Sequence, residues 1–249
     1  MIASPDAGKR IAIVQSNYIP WKGYFDLINS VDECILYDDA QYTTRDWRNR
    51  NRIKTREGLQ WLSIPIQVAG RRTQRICDAE IGDPRWARKH WQTLRRSYAR
   101  APGFQAWSQR IADVYGGDFI RLSDVNRRFI EVLCEMLGIR TTITWSADYD
   151  LSGGRSERLV GLCRQAGAAE YLSGPSARAY LDERLFAEAG IAVRYMDYTG
   201  YPEYPQLHGP FEHAVSILDL LFNAGPDATR FMKTFGLRTG SKDPPYFGT

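Results

Sequence analysis

The 249-residue sequence has few of the groups that most often carry chemistry alone. It contains three histidines and four cysteines. Cys34, Cys77, Cys134 and Cys163 are widely scattered, no two form a CxxC pair, and no His/Cys cluster has zinc-ligand spacing. A metal-ligand set is therefore not expected. Cys34, in DECILY, and Cys134, in EVLCEML, lie inside apolar runs and read as small core residues. The absence of a GxSxG elbow argues against a Ser–His–Asp hydrolase. No apolar run approaches the ~20 residues of a membrane span. The opening MIASPDAGKR lacks the apolar region of an export signal, so a cytoplasmic protein is expected.

The remaining composition, 43% hydrophobic and 25% charged, is that of a soluble globular chain long enough to bury a sizeable core. Formal net charge is +4. The basic excess is mostly arginine, dense in 45–56, 71–75 and 85–100. A guanidinium fork bonds two oxygens at once, so this bias favours anionic small molecules.

Along the chain, RIAIVQS (10–16) reads as a strand, NYIPWKG as a loop broken by Pro20 and Gly23, GYFDLINSVD as a helix and ECILYDD as a second strand. Strand, Gly-containing loop, helix and strand within ~30 residues is the βαβ pattern. Residues 40–58 show no period and read as a long polar loop, and 59–68 as a strong strand. CDAEIGD reads as a short edge strand. Residues 85–99, 104–115 and 122–138 read as helices, the last ending at Gly138. TTITWSADY is a strand, SGGRSERLVGLCRQAG a helix, AEYLSGP a strand and turn, SARAYLDERLFAEAG a helix and IAVRYMDY a strand. A Pro/Tyr-rich loop (199–211) leads to helices over 212–224 and 227–235. This alternation predicts an α/β fold with a Rossmann-like, mostly parallel sheet, helices on both faces and a helical insertion at about 85–138. One domain is expected over 10–236, with a tail at 237–249.

Two stretches draw attention as sites. QSNYIPWKGY follows the first strand and so lies where open α/β sheets bind ligands. Helix N–H groups and Lys22 there favour an anion. The alternative is that Tyr18, Trp21 and Tyr24 are core aromatics. YDDAQYTTRDWRNRNRIK follows the second strand. Asp38 or Asp39 could accept a proton or orient an amine; adjacent carboxylates point to opposite faces of a strand, which argues against a shared metal. Gln41, Tyr42, Trp47, Arg48, Asn49, Arg50, Asn51 and Arg52 offer rings, forks and amides suited to a sugar or phosphate. The alternatives are surface ion pairs or a nucleic-acid surface. Further along, Ser173 and Gly174 end a strand, and Ser176 reads as an N-cap. Asp219 lies on or beside the apolar stripe of VSILDLLF, where a backbone group or an arginine is its expected partner.

Three stretches together resemble the WbqC-like protein family: QSNYIPWKGYFDLINSVDECILYDDAQYTTRDWRNRNRIK, HWQTLRRSYARAPGF and YPQLHGPFEHAVSILDLLFNAGPDA. The QxxYxPxxGY pattern is present as Gln15, Tyr18, Pro20, Gly23 and Tyr24, with Ser16 where the family's Gln-Pro start has proline. The resemblance implies a role in O-antigen or other surface-glycan synthesis and transfer of a glycyl or other small acyl group to an amine. It needs no cofactor beyond an activated acyl donor, an acyl thioester or aminoacyl-tRNA. The acceptor would be a small-molecule amine, in one form a nucleotide-linked amino sugar, and an acyl carrier protein or tRNA could deliver the donor. A base for that transfer could be Asp38, Asp39, His90 on a helix face with Trp86, Leu94 and Tyr98, His208 in a loop, or His213 at the opening of the 212–224 helix. Gln206 falls in the third stretch as a binding residue. Two other readings stay open. One is a nucleotidyltransferase or adenylate-forming enzyme, against which the missing HxGH loop counts. The other is a non-enzymatic RNA- or carrier-binding module.

Overall fold

The computed structural model describes residues 8–71 and 73–235. Among them the strands are β1 (Arg10–Val14), β2 (Glu33–Leu36), β3 (Arg50–Thr55), β4 (Gly58–Ser63), β5 (Thr142–Trp145), β6 (Glu170–Ser173) and β7 (Ala192–Tyr195). The helices are α1 (Lys22–Asn29), α2 (Trp86–Tyr98), α3 (Phe104–Tyr115), α4 (Leu122–Leu137), α5 (Arg155–Gln165), α6 (Glu183–Glu188) and α7 (Ile217–Ala224). Five strands pair in the order β5-β2-β1-β6-β7, all parallel. This is the Rossmann-like α/β sheet expected from the alternation.

Side-chain period 2 splits the strands between two cores. Ala12, Cys34, Leu36 and Leu172 face a large cluster that includes α1, α2, α3, α4 and α7. Ile11, Ile13, Ile35 and Tyr171 face a smaller one with α5 and α6. Chain direction explains the division. β1 to β2 steps one way across the sheet and β5 to β6 steps back, and right-handed crossovers put their helices on opposite faces. Cys34 and Cys134 are both buried.

Several boundaries differ from the sequence reading. The expected polar loop at 40–58 contains β3, which forms an antiparallel hairpin with β4. Its charged sequence hides an alternation in which Asn51 and Ile53 are buried. The 59–68 strand stops at Ser63, before Pro65 removes a donor. CDAEIGD contributes isolated bridges, Ile66 with Ile81 and Glu80 with Arg121, in place of an edge strand. The 141–149 strand ends at Trp145 and turns through Ser146–Asp148. The segment after β6 is no single helix. A 3-10 turn at Pro175–Ala179 has Gly174, not Ser176, as its N-cap, and Asp182 then caps α6 by accepting from the Arg184 N–H. The last long helix begins at Ile217, capped by Ser216, so His213 lies in the preceding loop. The 227–235 helix is a 3-10 segment at Gly225–Phe231. The helical insertion is present as α2, α3 and α4 between β4 and β5. The tail at 237–249 lies outside the described residues.

Candidate functional site

In this strand order the crossover direction reverses between β1 and β6, and the crevice beyond their carboxyl ends is where such sheets bind ligands. The loop after β1 enters it under backbone strain. Ile19 has φ of 38°, which a β-branched residue rarely adopts. Asn51 of β3 holds it there, its Nδ2 donating to the Tyr18 carbonyl at 3.2 Å and the Ile19 carbonyl at 2.9 Å. The Tyr18 N–H donates to the Trp47 carbonyl at 3.0 Å, and the Ile217 N–H to that of Pro20 at 2.8 Å. Strain persisting in a well-tied loop is a feature of functional sites.

Asp38 lies just past β2, 1% exposed. Its carboxylate accepts from the Ser16 N–H at 2.9 Å and the Ser16 hydroxyl at 2.7 Å. The Ser16 oxygen accepts from Asn126 Nδ2 at 3.1 Å, and the same amide donates to the Arg48 carbonyl at 2.9 Å. Burial pushes the Asp38 carboxyl up to about 6; the Ser16 donors and Arg48 oppose the shift. Gln15 and Asn17 flank Ser16 in the chain, and their Oε1 and Oδ1 atoms, like Asn126 Oδ1 and Arg48 Nε, form a further group. All are buried atoms without a hydrogen-bond partner among the described residues. Buried polar atoms are nearly always paired, so these four have hydrogen-bonding capacity that a bound molecule could take up. Asn17, Asn126 and Ser16 were not singled out as site residues from the sequence; Asn126 in particular comes from a distant helix.

Asp39 diverges from Asp38 and is tied up by Arg75 at 2.7 Å and the Ser146 hydroxyl at 2.7 Å. Tyr24 is buried and donates its hydroxyl to the Gln15 carbonyl at 3.1 Å, shaping the loop. Ser173 closes β6, buried, with its Oγ 3.2 Å from the Tyr171 hydroxyl. Arg48 pairs with Asp46 at 2.8 Å. Asn49 is buried and donates to the Ile64 carbonyl at 2.8 Å, fixing the entry to the hairpin. Trp47, Arg50 and Arg52 come together with Arg45, Asp46 and Trp61 around a cleft of about 290 Å³. Trp61 reads in sequence as one ring in an apolar strand; only the pairing of β3 with β4, Arg52 opposite Trp61, brings it here.

Other candidates lie elsewhere. Tyr18 is fully buried, its hydroxyl 2.9 Å from His90 Nδ1 and 2.5 Å from the Tyr115 hydroxyl. His90 also bonds the Ser63 backbone, and burial pushes it down to about 4, so it is a neutral ring in an aromatic cluster with Trp86 and Tyr115. Trp21 packs edge-on against Tyr198 and Tyr201. Lys22 is buried, donates to the Pro202 carbonyl at 3.0 Å and faces the rings of Tyr201 and Tyr204; burial lowers its pKa to about 8. Tyr42 is buried with its N–H on the Gln74 carbonyl, and Gln41 bridges Arg75 at the surface.

The third family-like stretch builds a second buried network. Asp219, 1% exposed, accepts from Tyr98 at 2.6 Å, Tyr204 at 2.8 Å and Gln206 Nε2 at 2.8 Å, and its pKa is raised by burial. Its partners are therefore two tyrosines and the amides of Gln206 and Asn223, not the backbone group or arginine expected. Gln206 Oε1 accepts from the buried Lys54 at 2.9 Å. His208 Nε2 lies 3.0 Å from the Ser97 carbonyl. His213 is exposed, packed on Phe211. Tyr204, Gln206, Leu207 and His208 thus tie the 199–211 loop to α2 and α7.

Among the described residues no group of three His, Cys, Asp or Glu is placed to hold a metal ion, and no helix is long and apolar enough to cross a membrane. The model of the WbqC-like protein family matches residues 15–231. The chain is 54% identical over 226 residues to the uncharacterized protein Rv1507c of Mycobacterium tuberculosis, covering 90% of this chain and 98% of that protein. No solved structure matches it.

Proposed function

The chain belongs to the WbqC-like protein family, and from that premise we propose that it is a transferase forming an amide. It moves a glycyl or other small acyl group from an activated donor to the amine of an amino sugar or similar acceptor, in surface-glycan or specialised-metabolite synthesis. The observation that carries this reading is the buried Asp38–Ser16–Asn126 network beyond the ends of β1 and β2, joined to Arg48 and flanked in the chain by the unpartnered side chains of Gln15 and Asn17. A carboxylate titrating near 6 is ionised at neutral pH yet basic enough to take a proton from an attacking amine. The amine nitrogen bonds the acyl carbon, the carbonyl electrons move to oxygen, and Asp38 accepts the nitrogen's proton. The oxyanion then collapses, expelling the thiolate or ribose oxygen of the donor. Arg48 carries the positive charge that favours the oxyanion, and the amides of Gln15, Asn17 and Asn126 orient the reactants.

The test is incubation of the protein with labelled glycyl and acyl thioesters or glycyl-tRNA and a panel of amino sugars, free and nucleotide-linked. A mass gain of one acyl residue on the acceptor supports the reading. ATP-dependent pyrophosphate release with no acylated product from any donor rejects it in favour of nucleotidyl transfer or adenylate formation.

A further inference from the structure

The β3–β4 hairpin carries a concavity whose lining the chemistry at Asp38 leaves unused. Trp47 and Trp61 in its wall are each 42% exposed. Their ring centroids are 5.4 Å apart and their planes tilted by 40°, so the pair opens as a V. Two neighbouring indoles left in water form a surface that a ligand can cover. The Arg50 guanidinium lies 4.1 Å from the Trp61 ring centroid and that of Arg52 5.6 Å. Stacking fixes the plane of the fork while leaving its outer N–H groups for an anion.

Charge in the cleft is unbalanced. Its one carboxylate, Asp46, is engaged by Arg48, by the Thr43 hydroxyl at 2.6 Å and by the Trp47 N–H at 2.7 Å. No ion pair among the described residues takes up Arg45, Arg50 or Arg52, and the Nε atoms of Arg50 and Arg52 are buried without a partner. Arg45 holds φ of 59°, a left-handed conformation uncommon for arginine. The volume, about 290 Å³, is at the small end of ligand pockets.

An aromatic wall beside stacked guanidinium forks suits a planar ring joined to adjacent phosphates. We propose that this cleft binds the nucleoside diphosphate part of a nucleotide-linked acceptor, the base stacking on Trp47 and the diphosphate bridging Arg50 and Arg52. The Asp46–Arg48 pair joins the cleft to the Asp38 network, since the Arg48 carbonyl accepts from Asn126, which also bonds Ser16, the donor to Asp38. A sugar carried by the diphosphate is then directed at Asp38. The assignment of that sugar rests on the group-transfer reading; the binding of the nucleotide is testable without it.

Tryptophan emission of the full chain is followed while uridine diphosphate, thymidine diphosphate, uridine, inorganic pyrophosphate or a single-stranded RNA ending in CCA is added. A nucleoside diphosphate is expected to quench saturably and to bind about tenfold tighter than uridine or pyrophosphate. Trp47→Ala and Arg50→Gln should each weaken it about tenfold, and Trp47→Phe should retain it. No saturable binding of either diphosphate, or binding unchanged in Trp47→Ala and Arg50→Gln, overturns the proposal. So does tighter binding of the RNA with steep salt dependence, which makes the cleft an RNA surface. Diphosphate binding with the expected variant pattern, but no acyl transfer from any donor, keeps this site and removes the group-transfer reading.

Discussion

Replacing Asp38 by Asn separates a residue kept for chemistry from one kept for structure. Burial raises its carboxyl pKa from 3.8 to about 6. Between those values the folded chain binds a proton that the unfolded chain has released, so stability falls as pH rises across that window. The side chain is 1% exposed, so solvent screening takes little from the effect. Two units at ~1.36 kcal/mol each make the ionised carboxylate a burden of about 3 kcal/mol above pH 6, absent below pH 4. Asparagine keeps the shape and carries no charge. Its oxygen still accepts from the Ser16 N–H, and its amide meets the Ser16 oxygen. Urea denaturation should therefore find Asp38→Asn more stable than the wild type by up to about 3 kcal/mol at pH 8 and equal to it at pH 4, with transfer activity gone. A variant less stable at pH 8, or a difference independent of pH, would make Asp38 a hydrogen-bonding strut and refute the reasoning.

Asp219→Ala strands two tyrosine hydroxyls and the Gln206 amide beside buried Lys54, and urea melts should show a loss of about 3–5 kcal/mol; a loss under about 1 kcal/mol contradicts a satisfied clamp. Asn51→Ala uncovers the Tyr18 and Ile19 carbonyls, which should cost about 1–3 kcal/mol and release Ile19 from positive φ. Activity should fall further than that stability loss accounts for, as a comparison of kcat/KM at full folding will show. His90→Gln should lower stability by about 1–3 kcal/mol, because His90 ties Tyr18 to the Ser63 backbone. It should leave the pH profile of transfer in place; a shifted profile would return His90 to the list of bases.

The parallel sheet was legible because its strands are apolar runs separated by helices of period 3.6, and that pattern has one economical solution. The placement of the β1–α1 loop and of Asp38 just beyond the carboxyl ends of β1 and β2 was legible for the same topological reason. What escaped was set by long-range contact. β3 reads as a charged loop because its buried members include Asn51 and Lys54, whose partners, the Tyr18 and Ile19 carbonyls and Gln206, are remote in sequence. Trp61 joins Trp47 and Arg50 only once β4 folds back. Lys22 read as favouring an anion from its place at a helix start; its burial against the rings of Tyr201 and Tyr204 was not legible, because those residues are remote in sequence. The last helix begins at Ile217, five residues later than the 212 start read from sequence, which leaves His213 outside it; Ser216, directly before the apolar run, was the capping signal to use.

The most direct test of Asp38 as the proton acceptor is the pH dependence of kcat/KM for acyl transfer. The carboxyl must be ionised, so activity should fall as pH drops through about 6. Ser16→Ala removes a hydroxyl that favours the ionised form. A hydrogen bond to a charged group is worth about 1.5–3 kcal/mol, so that variant should move the acid limb upward by about one to two units. An acid limb that stays in place in Ser16→Ala, or that survives in Asp38→Asn, would contradict the assignment.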